Sequence, residues 1–404
     1  MSGLIVASNR GPFSLEEAPD GSISTKPAGG GLAPSLAAAL AGTDAPVWVA
    51  AAMTAVERRA AAEGLVETDL SGLSLRLVDI EPEVYQSAYD TVANATLWFL
   101  HHGLFDSPRR PVFDRRFREA WDRFRSYNMA FAEAICEEAA PSARVLVNDY
   151  HLPLVGKLLA EARPDLLTVH FTHTPFATPE ELAMLPRDAR RELIEGMAGF
   201  GACGFHTRSW EASFRRSATE VLGRPPVTFS AGLGADVARL TEVARSPECA
   251  GSLARLEDQI GDRKLLFRSD RVELSKNILR GFLAFDALLE ERPEWRGRVC
   301  LVARAYASRE GLPEYLAYRA EAEHLAAVVN DRWSFLDEPV IVFDIDDDFA
   351  STVAALRRYD VLLVNPLRDG MNLVAKEGPA LNERDGVLVL SEQAGAYAEM
   401  GAAA

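Results

Sequence analysis

Short apolar, β-branched runs recur along this chain and alternate with stretches of helical periodicity: LIVAS, VWVAA, LSLRLV, RVLVN, LLTVHF and ACGF, then KLLF, VCLVA, VIVF, DVLLV and VLVL. Runs that are apolar almost throughout suit strands covered on both faces, and the helical stretches between them supply the crossovers that parallel strands need. The chain is therefore predicted to be α/β, with parallel sheets covered by helices. At 404 residues it exceeds the size that one hydrophobic core sustains, so two domains are expected. Between Phe229 and Lys264 the apolar runs lapse into a small-residue connector and a surface helix, which puts the boundary near Gly234 and divides the chain into residues 1–234 and 235–404. Beyond it, Ile278, Phe282, Phe285, Leu288 and Leu289 recur at helical spacing, and Pro293 ends the pattern.

Where the polar residues fall is more informative still. SNR follows LIVA, NDYH follows RVLV, THTPF follows VHF, FHTR follows ACGF, RSDR follows KLLF, ASR follows VARAY and NPLRDG follows DVLLV. Each cluster sits at the carboxyl end of a predicted strand, the edge at which open α/β sheets bind ligands, because helix N-termini point their N–H groups there. Clusters of this kind on two sheets predict one site in a cleft between facing domains.

Charge narrows the ligand. With 43 Lys and Arg against 59 Asp and Glu, the net charge is -16, which repels nucleic acid and anionic lipid, so neither is an expected partner. An anionic ligand must then be held by a local basic pocket. The four cysteines lie far apart with no CxxC pair, which argues against a zinc site and a disulfide framework and for reduced, buried thiols in the cytoplasm. The N-terminal apolar run meets Asn9 and Arg10 too soon for a signal peptide, and the Ala-rich stretch from Gly31 to Ala55 carries Asp44 and Pro46, which exclude a transmembrane helix.

Several motifs hold more charge than folding asks for, and each also has a plainer reading. In NPLRDGMNLVAKE a glycine lets the backbone approach a diphosphate ahead of a helix N-terminus, with Glu377 placed to accept from ribose hydroxyls; the plainer reading is an RDG turn with Asp369 as a cap and Lys376 and Glu377 in solvent. In KLLFRSDRVELSKN, Arg271 and Lys276 flank a strand-to-helix turn within reach of phosphate oxygens, or are simply exposed bases. GGGLAPSL has the look of a phosphate or sugar cradle without a Walker ending, or of a tight turn. His151, His173 and Asp149 are candidates for a base or a sugar-hydroxyl partner, or are structural. DIDDD, Asp344 to Asp348, is either a metal-diphosphate site or, more cheaply, a set of acids at the N-terminus of the helix FASTVAALRRYD.

Taken in order, SNRGP, GGGL, YDTVANATLW, NDYHLP, THTPF, FHTRSW, DRVELSKN, ERPEWRG, ASR, NDRWS and NPLRDGMNLVAKE resemble the trehalose-6-phosphate synthase family of retaining glycosyltransferases, and SNRGPFSL and DRVELSKN resemble its actinobacterial branch rather than the commoner SNRLP and DRLDYIKG forms. The resemblance implies a GT-B fold, two Rossmann-like domains facing across a cleft, the N-terminal one for the acceptor and the C-terminal one for the nucleotide sugar. It implies transfer of glucose from UDP- or GDP-glucose to glucose 6-phosphate with retention, without metal or cofactor and without a protein nucleophile. Among the site residues it implies, Arg271, Lys276, Asp369 and the backbone of Gly370, Met371, Asn372, Leu373 and Val374 would hold the donor sugar and diphosphate, with Glu377 on the ribose and Gly31 closing the loop over the donor. Arg10, Tyr89, Trp98 and Arg309 would hold the phosphorylated acceptor, Asp149 would orient its hydroxyls, and His173 would lie against the donor sugar. Asp149, His173, Arg271, Lys276 and Asp369 are the implied catalytic set.

The chain departs from the family at SAGLGADVARL, where a PxGID-like hinge is usual, and at GAYAEMGAAA, where the family continues; C-terminal helices that brace the first domain are expected to be missing. Three alternatives stay open: a related enzyme of specialised metabolism joining another sugar or a cyclitol to a phosphorylated acceptor, a non-catalytic truncated paralogue, and a homo-oligomer in which a neighbouring chain replaces those helices.

Overall fold

In the computed structural model, which describes residues 1–17, 23–27, 40, 43, 45–68, 72–334 and 338–404, the chain divides into two compact units, Met1–Ala231 and Gly232–Ala404. Each is built on a largely parallel sheet with helical crossovers, a Rossmann-like arrangement. In the first unit the strands lie in the order Thr228–Ser230, Ala202–Phe205, Leu167–Thr172, Ala139–Asn148, Ser2–Ala7, Val47–Ala51, Ser74–Val78 and Leu65–Glu67. Only the last runs antiparallel to its neighbour in this sheet. In the second unit the order is Ile341–Ile345, Val299–Tyr306, Lys264–Arg271, Val361–Val364 and Val387–Leu390, all parallel.

Both sheets reverse their winding beside their first strand. The chain moves outward in one direction from Ser2–Ala7, then returns to place Ala139–Asn148 on its other side; it does the same around Lys264–Arg271 with Val361–Val364. At such a switch point the flanking crossover helices leave on opposite faces, so the loops part and open a crevice. Those loops are SNR and NDYH in the first unit, RSDRVELSK and NPLRDG in the second.

The helix Arg115–Glu138 illustrates how the sequence builds the first crevice. Asp114 caps it by accepting from the Phe117 amide at 3.1 Å, and Phe117, Trp121, Phe124, Phe131 and Ile135 turn toward the sheet at helical spacing. Burying each large side chain stabilises the fold by roughly 1.5–3 kcal/mol. Two polar residues interrupt that buried face, and both serve the rim. Tyr127 donates to Asn9 Oδ1 at 2.6 Å, and Asn128 donates to the His151 carbonyl at 3.3 Å while accepting from the Leu154 amide at 3.1 Å. One helix therefore fixes both loops of the crevice.

In the second unit the helix Ile278–Glu291 forms where the apolar spacing places it, burying Ile278, Phe282, Phe285 and Leu289. Gly281 interrupts this face because a Cβ there would lie 2.3 Å from Arg268 Nη1, so the glycine makes room for a buried guanidinium. Asp348 accepts from the Ser351 amide at 2.9 Å and caps Phe349–Arg358, while Asp344 pairs with Arg304, which accounts for two acids of DIDDD without a metal. The antiparallel ribbon Phe13–Glu17 with Ile23–Pro27, the edge strand Leu65–Glu67 and the strand Thr228–Ser230 are absent from the sequence-based expectation; they are short, and polar residues fill much of them. Of the four cysteines, Cys203, Cys249 and Cys300 are buried thiols and Cys136 is half-buried. Among the described residues no helix is long and apolar enough to cross a membrane.

Candidate active site

Around the second switch point the side chains form a closed set of ion pairs. Lys276 leaves the short helical turn Leu274–Lys276 and donates to Asp369 Oδ2 at 2.5 Å; Asn372 donates to the same oxygen at 3.1 Å. Burial is the largest influence on the Lys276 ammonium and would lower it, but the charges of Asp369, Asp270 and Glu273 together outweigh burial and the group is held above its ordinary value. Arg268, only 1% exposed, braces this arrangement from behind: it grips Asp270 at 2.7 Å and the Lys276 carbonyl at 2.9 Å.

Arg271, whose side chain is 38% exposed, pairs through Nε with Glu273 Oε1 at 2.9 Å. The same oxygen accepts from Ser308 Oγ at 2.8 Å and from Arg309 Nη1 at 2.6 Å. Glu273 is fully buried, which disfavours its charge, yet Arg271, Arg309 and Lys276 more than offset that cost and bring the carboxyl down to about 2. Sequence reasoning missed Glu273. An acid just beyond a strand looks like a solvated charge, and only its burial distinguishes it.

The NPLRDGMNLVAKE loop is held by its backbone. Asp369 N–H donates to Gln393 at 3.1 Å, Gly395 N–H to Asp369 at 3.1 Å, and Ala396 N–H to Met371 at 2.7 Å. A Cβ on Gly395 would lie 1.9 Å from the Gly370 carbonyl oxygen, so this close approach requires glycine. Asn372 adopts a left-handed backbone with φ of 75° and its Oδ1 accepts from the Ala375 amide at 3.2 Å, so it is the Asn372 side chain, one residue before the N-cap Leu373, and not Asp369 that serves the first turn of the helix Val374–Leu381. Of the first-turn amides, that of Ala375 is taken by this side chain, and those of Lys376 and Glu377 both donate to the Leu373 carbonyl at 2.8 Å. Glu377, in that first turn, is partly buried and its carboxyl is raised by burial, with Arg239 partly offsetting the shift. Lys376 binds the Leu233 carbonyl at 2.7 Å and Glu399 at 2.9 Å, a tie from this helix to the start of the second unit.

Around the first switch point the groups are aromatic and mostly neutral. Arg10 is exposed, and its loop is anchored by Asn9 on Tyr127 and by Ser8, whose hydroxyl accepts from Trp48 Nε1 at 2.8 Å and donates to the Arg10 carbonyl at 2.6 Å. Tyr89 is stacked between Tyr85, at 5.5 Å between centroids, and His151, at 5.6 Å; Trp98 stacks on His102 at 3.9 Å. Both Tyr89 and Trp98 lie on the π-helical segment Ser87–Trp98, whose wider turns set their spacing.

Asp149 holds a left-handed backbone with φ of 70° and accepts from the His173 amide at 3.3 Å, and its carbonyl faces His170 Nε2 at 3.1 Å. Asn148 Nδ2 donates to the Ala7 carbonyl at 3.2 Å, so its Oδ1 is the atom 3.1 Å from His173 Nε2. His173 Nε2 therefore carries a hydrogen. Burial and the neighbouring His206 and His170 push His173 well below the ordinary imidazole value, so it is neutral and its Nδ1 accepts from His206 Nε2 at 3.2 Å. His206 is a second residue that the sequence did not single out.

The sequence-based candidates thus divide. Arg271, Lys276, Asp369, Gly370, Met371, Asn372, Leu373, Val374, Glu377 and Arg309 belong to the second unit; Arg10, Tyr89, Trp98, Asp149 and His173 belong to the first. Arg309, expected with the acceptor set, shares a carboxylate with Arg271 of the donor set. Gly31 and the GGGL turn lie outside the described residues. Among the described residues no group of three or more His, Cys, Asp or Glu is placed to hold a metal ion.

The model of glycosyltransferase family 20 matches residues 2–404. Trehalose-6-phosphate synthase of Mycolicibacterium smegmatis is 33% identical over 427 residues, covering 99% of this chain and 81% of that protein. The bifunctional trehalose-6-phosphate synthase/phosphatase of Thermoproteus tenax is 33% identical over 420 residues; 98% of this chain spans 55% of its length. Among solved structures, the E. coli protein bound with UDP-2-fluoro glucose superposes with a TM-score of 0.84 at 26% identity, covering 98% of this chain and 86% of that one. An alpha,alpha-trehalose-phosphate synthase (UDP-forming) from Burkholderia xenovorans in complex with glucose-6-phosphate gives 0.83 at 25% identity, with 98% and 87% covered.

Proposed function

The chain belongs to glycosyltransferase family 20, and from that premise we propose that it transfers glucose from UDP- or GDP-glucose to glucose 6-phosphate with retention, yielding trehalose 6-phosphate. It is a nucleotide-sugar hexosyltransferase that needs no cofactor. The observation that carries this reading is the ion-paired set at the second switch point, where Glu273 pairs with Arg271 and Asp369 pairs with Lys276.

Arg271 and Lys276 hold the donor diphosphate. Asp369 and the backbone from Gly370 to Val374 position the glucose and phosphates, and Glu377 accepts from the ribose hydroxyls. Arg10, Tyr89, Trp98 and Arg309 bind the sugar phosphate, Asp149 orients its hydroxyls, and neutral His173 lies against the donor sugar.

In the reaction, the acceptor hydroxyl attacks the anomeric carbon on the face from which the diphosphate departs. The bond from that carbon to the phosphate oxygen breaks, the new glycosidic bond forms, and the hydroxyl proton passes to the departing phosphate oxygen. Negative charge accumulates on the leaving group, so fixed cations lower the barrier without reorganising. No carboxylate is asked to act as nucleophile, which agrees with the acids here being spent in ion pairs.

The reading places the enzyme in the cytoplasm, where buried free thiols persist. Its test is a screen of nucleotide sugars and sugar phosphates with product identification by NMR. Trehalose 6-phosphate from UDP- or GDP-glucose is expected; a different sugar or acceptor as the preferred pair would overturn the assignment.

A further inference from the structure

Glu273 stands two residues past the strand that ends at Arg271, with extended backbone, and its side chain is fully buried. An apolar residue would fill this position without the desolvation that a carboxylate suffers, so its charge calls for a reason. Its contacts supply one. Oε1 receives Arg271 Nε at 2.9 Å, Ser308 Oγ at 2.8 Å and Arg309 Nη1 at 2.6 Å, while Oε2 is buried with no hydrogen-bond partner among the described residues. A single oxygen thus joins the loops that follow two adjacent strands, Lys264–Arg271 and Val299–Tyr306.

Arg309 is fixed in turn: its backbone is left-handed with φ of 48°, and its guanidinium lies 5.4 Å from the Tyr315 ring and donates to Tyr315 Oη at 3.2 Å. Two guanidinium groups repel each other at this range; the shared carboxylate is what holds them at one spacing.

We propose that Glu273 is a positioning residue that couples the two substrate sites, setting the distance between the arginine for the donor diphosphate and the arginine for the acceptor phosphate. This rests on the roles given above to Arg271 and Arg309. An anion that draws one guanidinium away from Oε1 leaves the other to bond it more strongly and in its fixed orientation. Occupancy of one site therefore changes the affinity of the other, and by linkage the effect is reciprocal.

The experiment is calorimetric titration of the 404-residue chain with UDP or GDP, with and without saturating glucose 6-phosphate, for the wild type and for Glu273→Gln, Glu273→Asp and Ser308→Ala. In the wild type the sugar phosphate is expected to shift nucleotide affinity by about fivefold or more. Glu273→Gln keeps the shape but not the charge, and the shift should fall to within about twofold of none, with kcat lowered by about 10²-fold. Glu273→Asp, which restores the charge, should recover most of the coupling, a rescue that a purely structural role would not give. Ser308→Ala, which leaves all charges in place, should weaken the coupling measurably even if Glu273→Gln does not fold. Coupling absent in the wild type, or unchanged in Glu273→Gln or in Ser308→Ala, overturns the inference while leaving the enzymatic reading intact. Failure of wild-type chain to bind either nucleotide overturns both.

Discussion

Around the first sheet's switch point two buried histidines are held neutral, whereas around the second a buried lysine and a buried glutamate are held ionised. His170 and His173 are stripped of protons by burial, and Tyr85 and Tyr127 are pushed well above the ordinary phenol range by the same cause. In the second unit Lys276 stays charged through Asp369, Asp270 and Glu273, and Glu273 stays charged through its arginines and Lys276, although both are buried. The same sheet topology therefore carries two kinds of chemistry. Neutral donors, acceptors and ring faces suit a sugar, whose hydroxyls and C–H faces bear no charge. Fixed cations suit a departing diphosphate.

The largest effect should come from breaking the ionised rim. Lys276→Ala removes a cation and takes from the nearly buried Asp369 carboxylate its ion-pair partner at 2.5 Å, so kcat/KM is expected to fall by about 10³-fold. Steady-state kinetics with excess donor checks this; a loss of less than tenfold would mean that the ion pair only supports the fold.

The neutral rim gives a pH signature of its own. His170 titrates at about 4 in the folded chain, against the ordinary 6.5, so its neutral form is the one that folding favours. Its contribution, about 3 kcal/mol, is complete above pH 6.5 and is lost as pH falls toward 4, because the unfolded chain takes up the proton first. Urea unfolding between pH 4 and 7 should show this slope together with one of the same sign from His173, and His170→Asn should reduce it. A slope unchanged by that substitution would place the proton uptake elsewhere.

A smaller effect is expected from Gly395→Ala, which pushes a methyl group into the Gly370 carbonyl and displaces the loop at the ionised rim. The KM for donor should rise by about tenfold, with overpacking costing about 1–3 kcal/mol of stability. Smallest of all is Glu399→Gln. Its pair with Lys376 is half exposed on the glutamate side, so the loss should stay below about 1 kcal/mol and kcat should change by less than twofold. Equal damage from these two variants would erase the distinction between the site and its scaffold.

Much of this organisation is legible in the sequence because it is periodic. The apolar runs mark the strands that form both sheets, and the polar clusters at their ends mark the two crevices. What is not legible depends on burial. Glu273 differs from a surface acid only in being fully enclosed, and Arg268 is recognisable only through the room that Gly281 leaves for it. His206 matters because two strand ends bring it beside His173, a contact across 33 residues. The plainer alternative for Asp369, a helix cap, gives way because the left-handed turn at Asn372 puts that side chain on the Ala375 amide and leaves the aspartate to pair with Lys276. The two-stranded ribbon after Arg10 escaped because FSLEE and ISTKP carry too few apolar residues to announce it.

The most direct test of the central claim, that the second unit's fixed cations form a diphosphate site, is the affinity for UDP and GDP of wild-type chain and of Arg271→Ala, measured calorimetrically with EDTA present. The account predicts binding by the wild type without metal and a loss of tenfold or more in the variant. Nucleotide binding that is unchanged by Arg271→Ala, or that appears only when a divalent cation is added, would contradict it.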